Sequence, residues 1–177
     1  MSIPRRWSAP NFKLGGIAVE LQAAMEFDQT YEPVGGSSDL QMADGNVLRQ
    51  TYWTRLKTTL NGSGIVPHGL GMLDWTVPQT ISCAAPLDVA SATRTVTLPA
   101  GRRSDAAPRA YALVGGVYLA TPVAMAGDVA TATEVADADA YVFLYHPEFS
   151  AYVTRTQSFN RQASKHSWQV TAVELNT

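Results

Sequence analysis

Charge is scarce in this chain of 177 residues: Asp, Glu, Lys and Arg make up 16% of it, against roughly a quarter in an ordinary soluble domain. The net charge is only -2, so there is no global attraction to nucleic acid or to an anionic membrane. This argues against a nucleic-acid partner and makes any basic contact local. Cysteine is scarcer still. Cys83 stands alone, which excludes an internal disulfide framework and a multi-cysteine zinc site. It sits in the apolar run Ile81-Ser82-Cys83-Ala84-Ala85, where a free thiol packs as a small hydrophobe. Long apolar runs are missing too: no segment approaches the roughly 20 residues needed to span a bilayer as a helix. Arg5 and Arg6 are not followed by the apolar stretch of a secretory signal. The expectation is a soluble protein or part of a soluble assembly. Convincing amphipathic helices are also lacking.

What is present is strand-like sequence punctuated by glycine and proline. Residues 1–16 read as an irregular N-terminal arm and 17–177 as a single β-rich domain. About nine to eleven short strands separated by turn residues indicate an antiparallel β-sandwich or barrel, carrying the extended arm and one long Gly/Pro loop. Ile17 to Met25 is assigned to a strand, against competing helix propensity. Glu26 to Val34 is expected to end at Pro33 and Gly35-Gly36, with a short segment from Asp39 to Met42 stopping at Asp44-Gly45. Val47 to Leu60 is the clearest strand, and Asn61-Gly62 after it reads as a tight turn. Further strands are expected over Gln79–Ala85 and Ala92–Leu98, around a Pro86-Leu87-Asp88 turn. Ala110–Thr121 reads as two strands about Gly115-Gly116, and Val123–Val135 as two about Gly127-Asp128. Tyr141 to Tyr145 stops at Pro147, with Phe149 to Thr154 as its continuation, and Lys165 to Leu175 closes the chain.

Period-two alternation puts Arg49, Thr51, Trp53, Arg55 and Lys57 on one face of the clearest strand, and Gln50, Tyr52, Thr54, Leu56, Thr58 and Leu60 on the other, which is expected to face the core. The first set is a basic aromatic stripe, which reads either as an ordinary solvated sheet face or as a contact surface, for which the slightly acidic chain favours a protein partner over nucleic acid. It leads into the loop from Asn61 through Gly62, Gly64, Pro67 and Gly69 to Trp75, expected to be a shaped contact element. With Arg5, Arg6 and Trp7 of the arm, these residues form the candidate subunit interface. No catalytic residue, metal ligand or cofactor site is assigned. His68, His146 and His166 are scattered without ligand spacing. Gly62-Ser63-Gly64 has neither the spacing of a nucleophile elbow nor the lysine and helix of a phosphate loop. The acidic run through Asp128, Glu134, Asp137 and Asp139 lacks the glycine and terminal glutamate of a calcium loop. A glycan- or host-surface-binding module presenting Trp75 and Tyr118 is the alternative. A cell-wall hydrolase is the weaker rival, testable at Glu148 and His146.

Two segments carry a family resemblance. Residues 56–86, LKTTLNGSGIVPHGLGMLDWTVPQTISCAAP, and 141–175, YVFLYHPEFSAYVTRTQSFNRQASKHSWQVTAVEL, resemble structural proteins of long-tailed bacteriophages, particularly small β-rich components of the tail and its distal end. The resemblance implies a non-enzymatic virion subunit of the distal-tail, baseplate or tube-ring kind, assembled in the host cytoplasm. Its partners would be further copies in a homo-oligomeric ring and other tail proteins. It also implies that Trp168 and Tyr145 belong to the core, while the loop and arm reach neighbours.

Overall fold

A computed structural model describes residues 10–175 of the chain. It is all-β and antiparallel, with three open sheets and no closed barrel among the described residues, an architecture consistent with a β-sandwich. The described residues divide into two compact units that interleave in sequence: residues 10–13 with 81–149, and residues 14–80 with 150–175.

The first unit contains a four-stranded sheet in the order β6 (Leu87–Ser91), β12 (Ala140–Tyr145), β8 (Arg109–Val114), β9 (Val117–Thr121). It also contains a three-stranded sheet, β10 (Val123–Ala126), β11 (Val129–Ala132), β7 (Thr95–Thr97). The two share one core, in which Tyr141, Phe143 and Tyr145 of β12 meet Ala110, Ala112, Ala130 and Ala132. Small residues opposite large rings let the layers interdigitate at interior density. Both expected hairpins form. Gly115 and Gly116 take φ of 54° and 82°, the positive values that a two-residue turn matching strand twist requires. Beside this core, Arg103 is 3% exposed. Its guanidinium donates to the Asn11 and Cys83 carbonyls at 2.8 and 3.0 Å and grips both carboxylate oxygens of Asp105 at 2.8 and 2.9 Å. Lys13 donates to the same carboxylate at 2.6 Å. These bonds hold the Asp105 carboxyl far below the usual carboxylate range.

The second unit is built on a seven-stranded sheet, β2 (Ile17–Ala18), β1 (Lys13–Leu14), β5 (Gln79–Ser82), β13 (Glu148–Asn160), β14 (Lys165–Glu174), β4 (Val47–Gly64), β3 (Glu26–Gln41). One face is apolar: Leu60, Trp168, Val170 and Ala172 are buried on it, and the Trp168 indole donates to the Ala23 carbonyl at 2.8 Å.

Several expectations are corrected. Ile17–Met25 is not a strand but a two-residue strand followed by a 3-10 turn, Leu21–Ala23. Pro33 and Gly35-Gly36 do not end a strand. β3 runs through them to Gln41, because it lies at the sheet edge, where the N–H that proline lacks is not needed by a second neighbour. Asn61-Gly62 is no turn: it pairs with Gln169 and Trp168 of β14 on one side and with Asp28 and Phe27 of β3 on the other, and two-sided pairing demands extended backbone. Glycine is required at position 62 because a Cβ there would run into the Trp168 indole. Cys83, Ala84 and Ala85 fall outside the strand expected to hold them, β5 stopping at Ser82, and Leu87 opens β6 instead of a turn. Residues 149–154 do not extend β12; after His146-Pro147 the chain enters a different sheet as β13. The His146 and Pro147 carbonyls accept from the Arg103 and Cys83 amides, so that corner is fixed by hydrogen bonds outside any ladder. Trp168, Tyr145 and Cys83 are buried as expected.

Gly62→Ala should therefore destabilise the fold by about 1–3 kcal/mol through overpacking against Trp168, read as a lowered midpoint in urea denaturation. Asp105→Asn tests the Arg103 tie. Because the folded carboxyl is depressed, its contribution is full above the ordinary value of 3.8 and is lost as pH falls through the folded value. The stability gap between wild type and variant should be largest near neutrality and shrink on acidification below about pH 4, measured by denaturation at stepped pH.

Candidate functional site

β14 partners β4 only from Lys57 to Gly64. Where it ends, the Glu174 carboxylate accepts the next β4 amide, that of Leu56, at 3.1 Å. Beyond this point β3 and β4 continue as a two-stranded ribbon, paired to each other out to Gln41 and Val47. Nine residues of β3, 33–41, at roughly 3.3 Å each give a reach of about 30 Å. At the tip Asp44 accepts from the Asn46 amide at 3.0 Å, and Gly45 takes φ of 85°. The ribbon has exposed apolar residues: Leu40, Met42, Val47, Leu48, Tyr52 and Trp53 are all about half or more exposed, Tyr52 at 67%. Trp53 lies over Gly36, where a Cβ would come within 2.6 Å of the indole nitrogen. A bulge beside them, with Gly36 opposite Trp53 and Ser37 opposite Thr51, leaves Tyr52 without a partner in the register and bends the ribbon.

The ribbon changes the meaning of the basic stripe. Arg49 lies opposite Asp39 and donates to both its oxygens at 2.7 and 2.8 Å, holding that carboxyl below its ordinary range. Lys57 lies opposite Glu32 and donates to it at 2.8 Å. Arg55 donates to the Thr54 carbonyl. The cations of Arg49 and Lys57 are thus neutralised within their own hairpin, and what the ribbon presents is apolar. The expected core face is corrected for the same reason. Thr58 and Leu60 are buried, but Gln50, Tyr52 and Thr54 are exposed, since β4 has left the sheet by then.

The remaining candidate residues scatter. Arg5, Arg6 and Trp7 lie outside the described residues. Asn61, Gly62 and Gly64 are in β4, with Gly64 so close to the Gln22 and Ala23 backbone that a Cβ has no room. Pro67 and Gly69 are exposed in the segment that follows, Gly69 with φ of 75° before the 3-10 turn Leu70–Met72. Trp75 is half-buried beneath Arg155, whose guanidinium carbon is 4.5 Å from the ring centre. Tyr118 is exposed on β9, not on a loop. Glu148 accepts from the Ser82 hydroxyl at 2.6 Å. His146 is buried, and its proton affinity is depressed by that burial and then by Arg103.

Sequence reasoning misses the sheet face opposite Trp168. Register aligns four rows across β3, β4, β14 and β13: Glu26, Ser63, Ser167, Ser158; Asp28, Asn61, Gln169, Thr156; Thr30, Thr59, Thr171, Thr154; and Glu32, Lys57, Val173, Tyr152. The first two rows line an open groove of about 840 Å³. Glu26 is held there by Ser63 and Lys165 at 2.7 and 2.6 Å, and Gln169 donates to Asn61 at 2.9 Å. Asp28 makes no ion pair with any described residue. Alternation in each strand hints at this face, but only the register brings the four strands into rows.

Comparison with protein-family models, curated proteins and solved structures found no match for this chain.

Proposed function

We propose that the chain is a non-enzymatic structural component of a bacteriophage tail, of the distal-tail, baseplate or tube-ring kind, which assembles into a homo-oligomeric ring through the β3–β4 ribbon. The observation that carries the assembly role is the ribbon's exposed apolar surface, with ion-paired cations and two main-chain edges that no described strand covers. A two-stranded ribbon is marginal by itself in water. Contiguous exposed apolar residues mark a contact surface, and free strand edges are normally covered or blunted. A neighbouring copy would satisfy all three, by a heterologous contact of the sort that closes into a ring. The tail assignment rests on the sequence resemblance, and on that reading the neighbours in the virion are other tail proteins. Replacing residues 37–51 by Asn-Gly should leave the β circular-dichroism spectrum intact while sedimentation falls to the monomer. Rings of normal size from the shortened chain would remove the ribbon from the assembly role.

A second reading, a glycan-binding module of the tail tip, is favoured by the polar groove. Its hydroxyls, amides and the Asp28 carboxylate match the donors and acceptors of a neutral sugar. On this reading Asp28→Ala weakens retention on a glycan array by about tenfold or more, the loss of a hydrogen bond to a charged group; an array on which wild type binds nothing retires it.

A further inference from the structure

On the buried face of the second unit's sheet, the segment following β4 brings His68 over Trp168, with ring centres 5.8 Å apart and planes at 88°. His68 is 5% exposed, and its Nδ1 accepts from the Leu70 amide at 3.0 Å. An imidazole that accepts at Nδ1 carries its proton at Nε2, so the tautomer is fixed and Nε2 is a donor. That donor is buried and has no hydrogen-bond partner; the Trp168 ring offers at most a weak π acceptor.

Its neighbours share the condition. Arg155 stacks on Trp75, yet its Nη1 is buried without an acceptor. Asp74, the acid of the covering segment, is exposed, and its Oδ1 accepts from the Thr76 amide at 2.9 Å and hydroxyl at 2.6 Å. The Trp75 indole N–H is buried without a partner, as is His166 Nδ1, whose ring lies 4.6 Å from that of Phe159. In the ladder Arg155 lies opposite Val170 and His166 opposite Phe159, so both stand on the Trp168 face, Arg155 diagonal to the indole that His68 covers. Burial and then these two groups lower the proton affinity of His68. Three buried donor atoms, one of them on a permanent cation, therefore lie on this face without an acceptor, and no described carboxylate forms an ion pair with Arg155. Buried polar groups are almost always satisfied, and a desolvated cation without a counter-charge is costly.

We propose that Arg155, His68 and Trp75, with His166 beside them, form a receptor for one oxyanion, a carboxylate or a phosphate, which accepts from Arg155 Nη1, His68 Nε2–H and the Trp75 indole N–H. An oxyanion supplies several acceptor lone pairs and a negative charge together, and the guanidinium stacked on an indole is pre-organised to meet it. The receptor stands whether or not the chain forms rings. The oxyanion can be free in solution or belong to a side chain of a second copy, and the experiment separates these sources.

In the full chain, the indole N–H resonances of Trp75 and Trp168 are followed by nuclear magnetic resonance during titration with inorganic phosphate against sodium chloride at matched ionic strength. A free oxyanion shifts the Trp75 resonance saturably, with half-saturation weakened about tenfold or more in Arg155→Gln, the loss expected for a charge-assisted bond. A carboxylate from a second copy gives no phosphate response; instead the Trp75 resonance shifts with protein concentration, and that dependence disappears in Arg155→Gln. Either pattern supports the receptor. If the wild-type Trp75 resonance responds to neither phosphate nor protein concentration, the proposal is overturned, and this readout holds even where the variant fails to fold.

Discussion

β14 supplies ladder partners for β4 from Lys57 to Gly64 and for no residue before them. The mismatch between these strands divides β4 into two regimes. From Lys57 to Ser63 each residue has neighbours on both sides, so one face closes over Leu60 and Trp168 while the other becomes a polar lattice. Outside it, no third described strand remains to build a layer, and apolar side chains of the ribbon stay in solvent. The Glu174 carboxylate at the boundary satisfies the first amide that β14 no longer reaches. An unpaired amide at a half-buried position would otherwise carry a desolvation cost.

The paired part of the second unit's sheet thus presents two chemically opposite faces. On one, the indole of Trp168 requires a glycine opposite it, and the segment from Ile65 to Pro78 lies over the sheet with His68 and Trp75 brought onto it. On the other, serines, threonines, amides and carboxylates align across four strands. Period-two side-chain direction makes this separation possible. The first unit solves a different problem with different means: alanines from two small sheets pack against the aromatic residues of β12. Close by, a buried guanidinium collects backbone carbonyls and one carboxylate.

Much of the strand content is legible because alternation and turn residues are local signals. The Gly115-Gly116 and Gly127-Asp128 hairpins, β12 and the final strand follow from them. Three of the misreadings share one cause. Pro33, Gly35-Gly36 and Asn61-Gly62 each have a local preference for turns, and each is overruled by where its strand lies. Pro33 is tolerated on an edge, and Gly62 is demanded by the Trp168 indole from the far end of the chain. The basic stripe is visible as residues but not as chemistry. Asp39 and Glu32 neutralise it only once β3 is known to run unbroken beside β4. Asp44-Gly45 reads as a turn, so the hairpin's tip is legible; its length is hidden by the proline and glycines in its first strand.

By itself the sequence determined the all-β class, the turns at Asp44-Gly45, Gly115-Gly116 and Gly127-Asp128, the burial of Cys83, and the lack of any global charge-driven attraction to nucleic acid. These follow from composition and from interactions between residues close in the chain. Tertiary structure decided which of the stripe's cations were already paired, which half of β4 was buried, and which buried donors on the Trp168 face were left without acceptors. Those are properties of residues far apart in sequence, fixed by strand register and by burial, and neither is encoded in any short stretch of the chain.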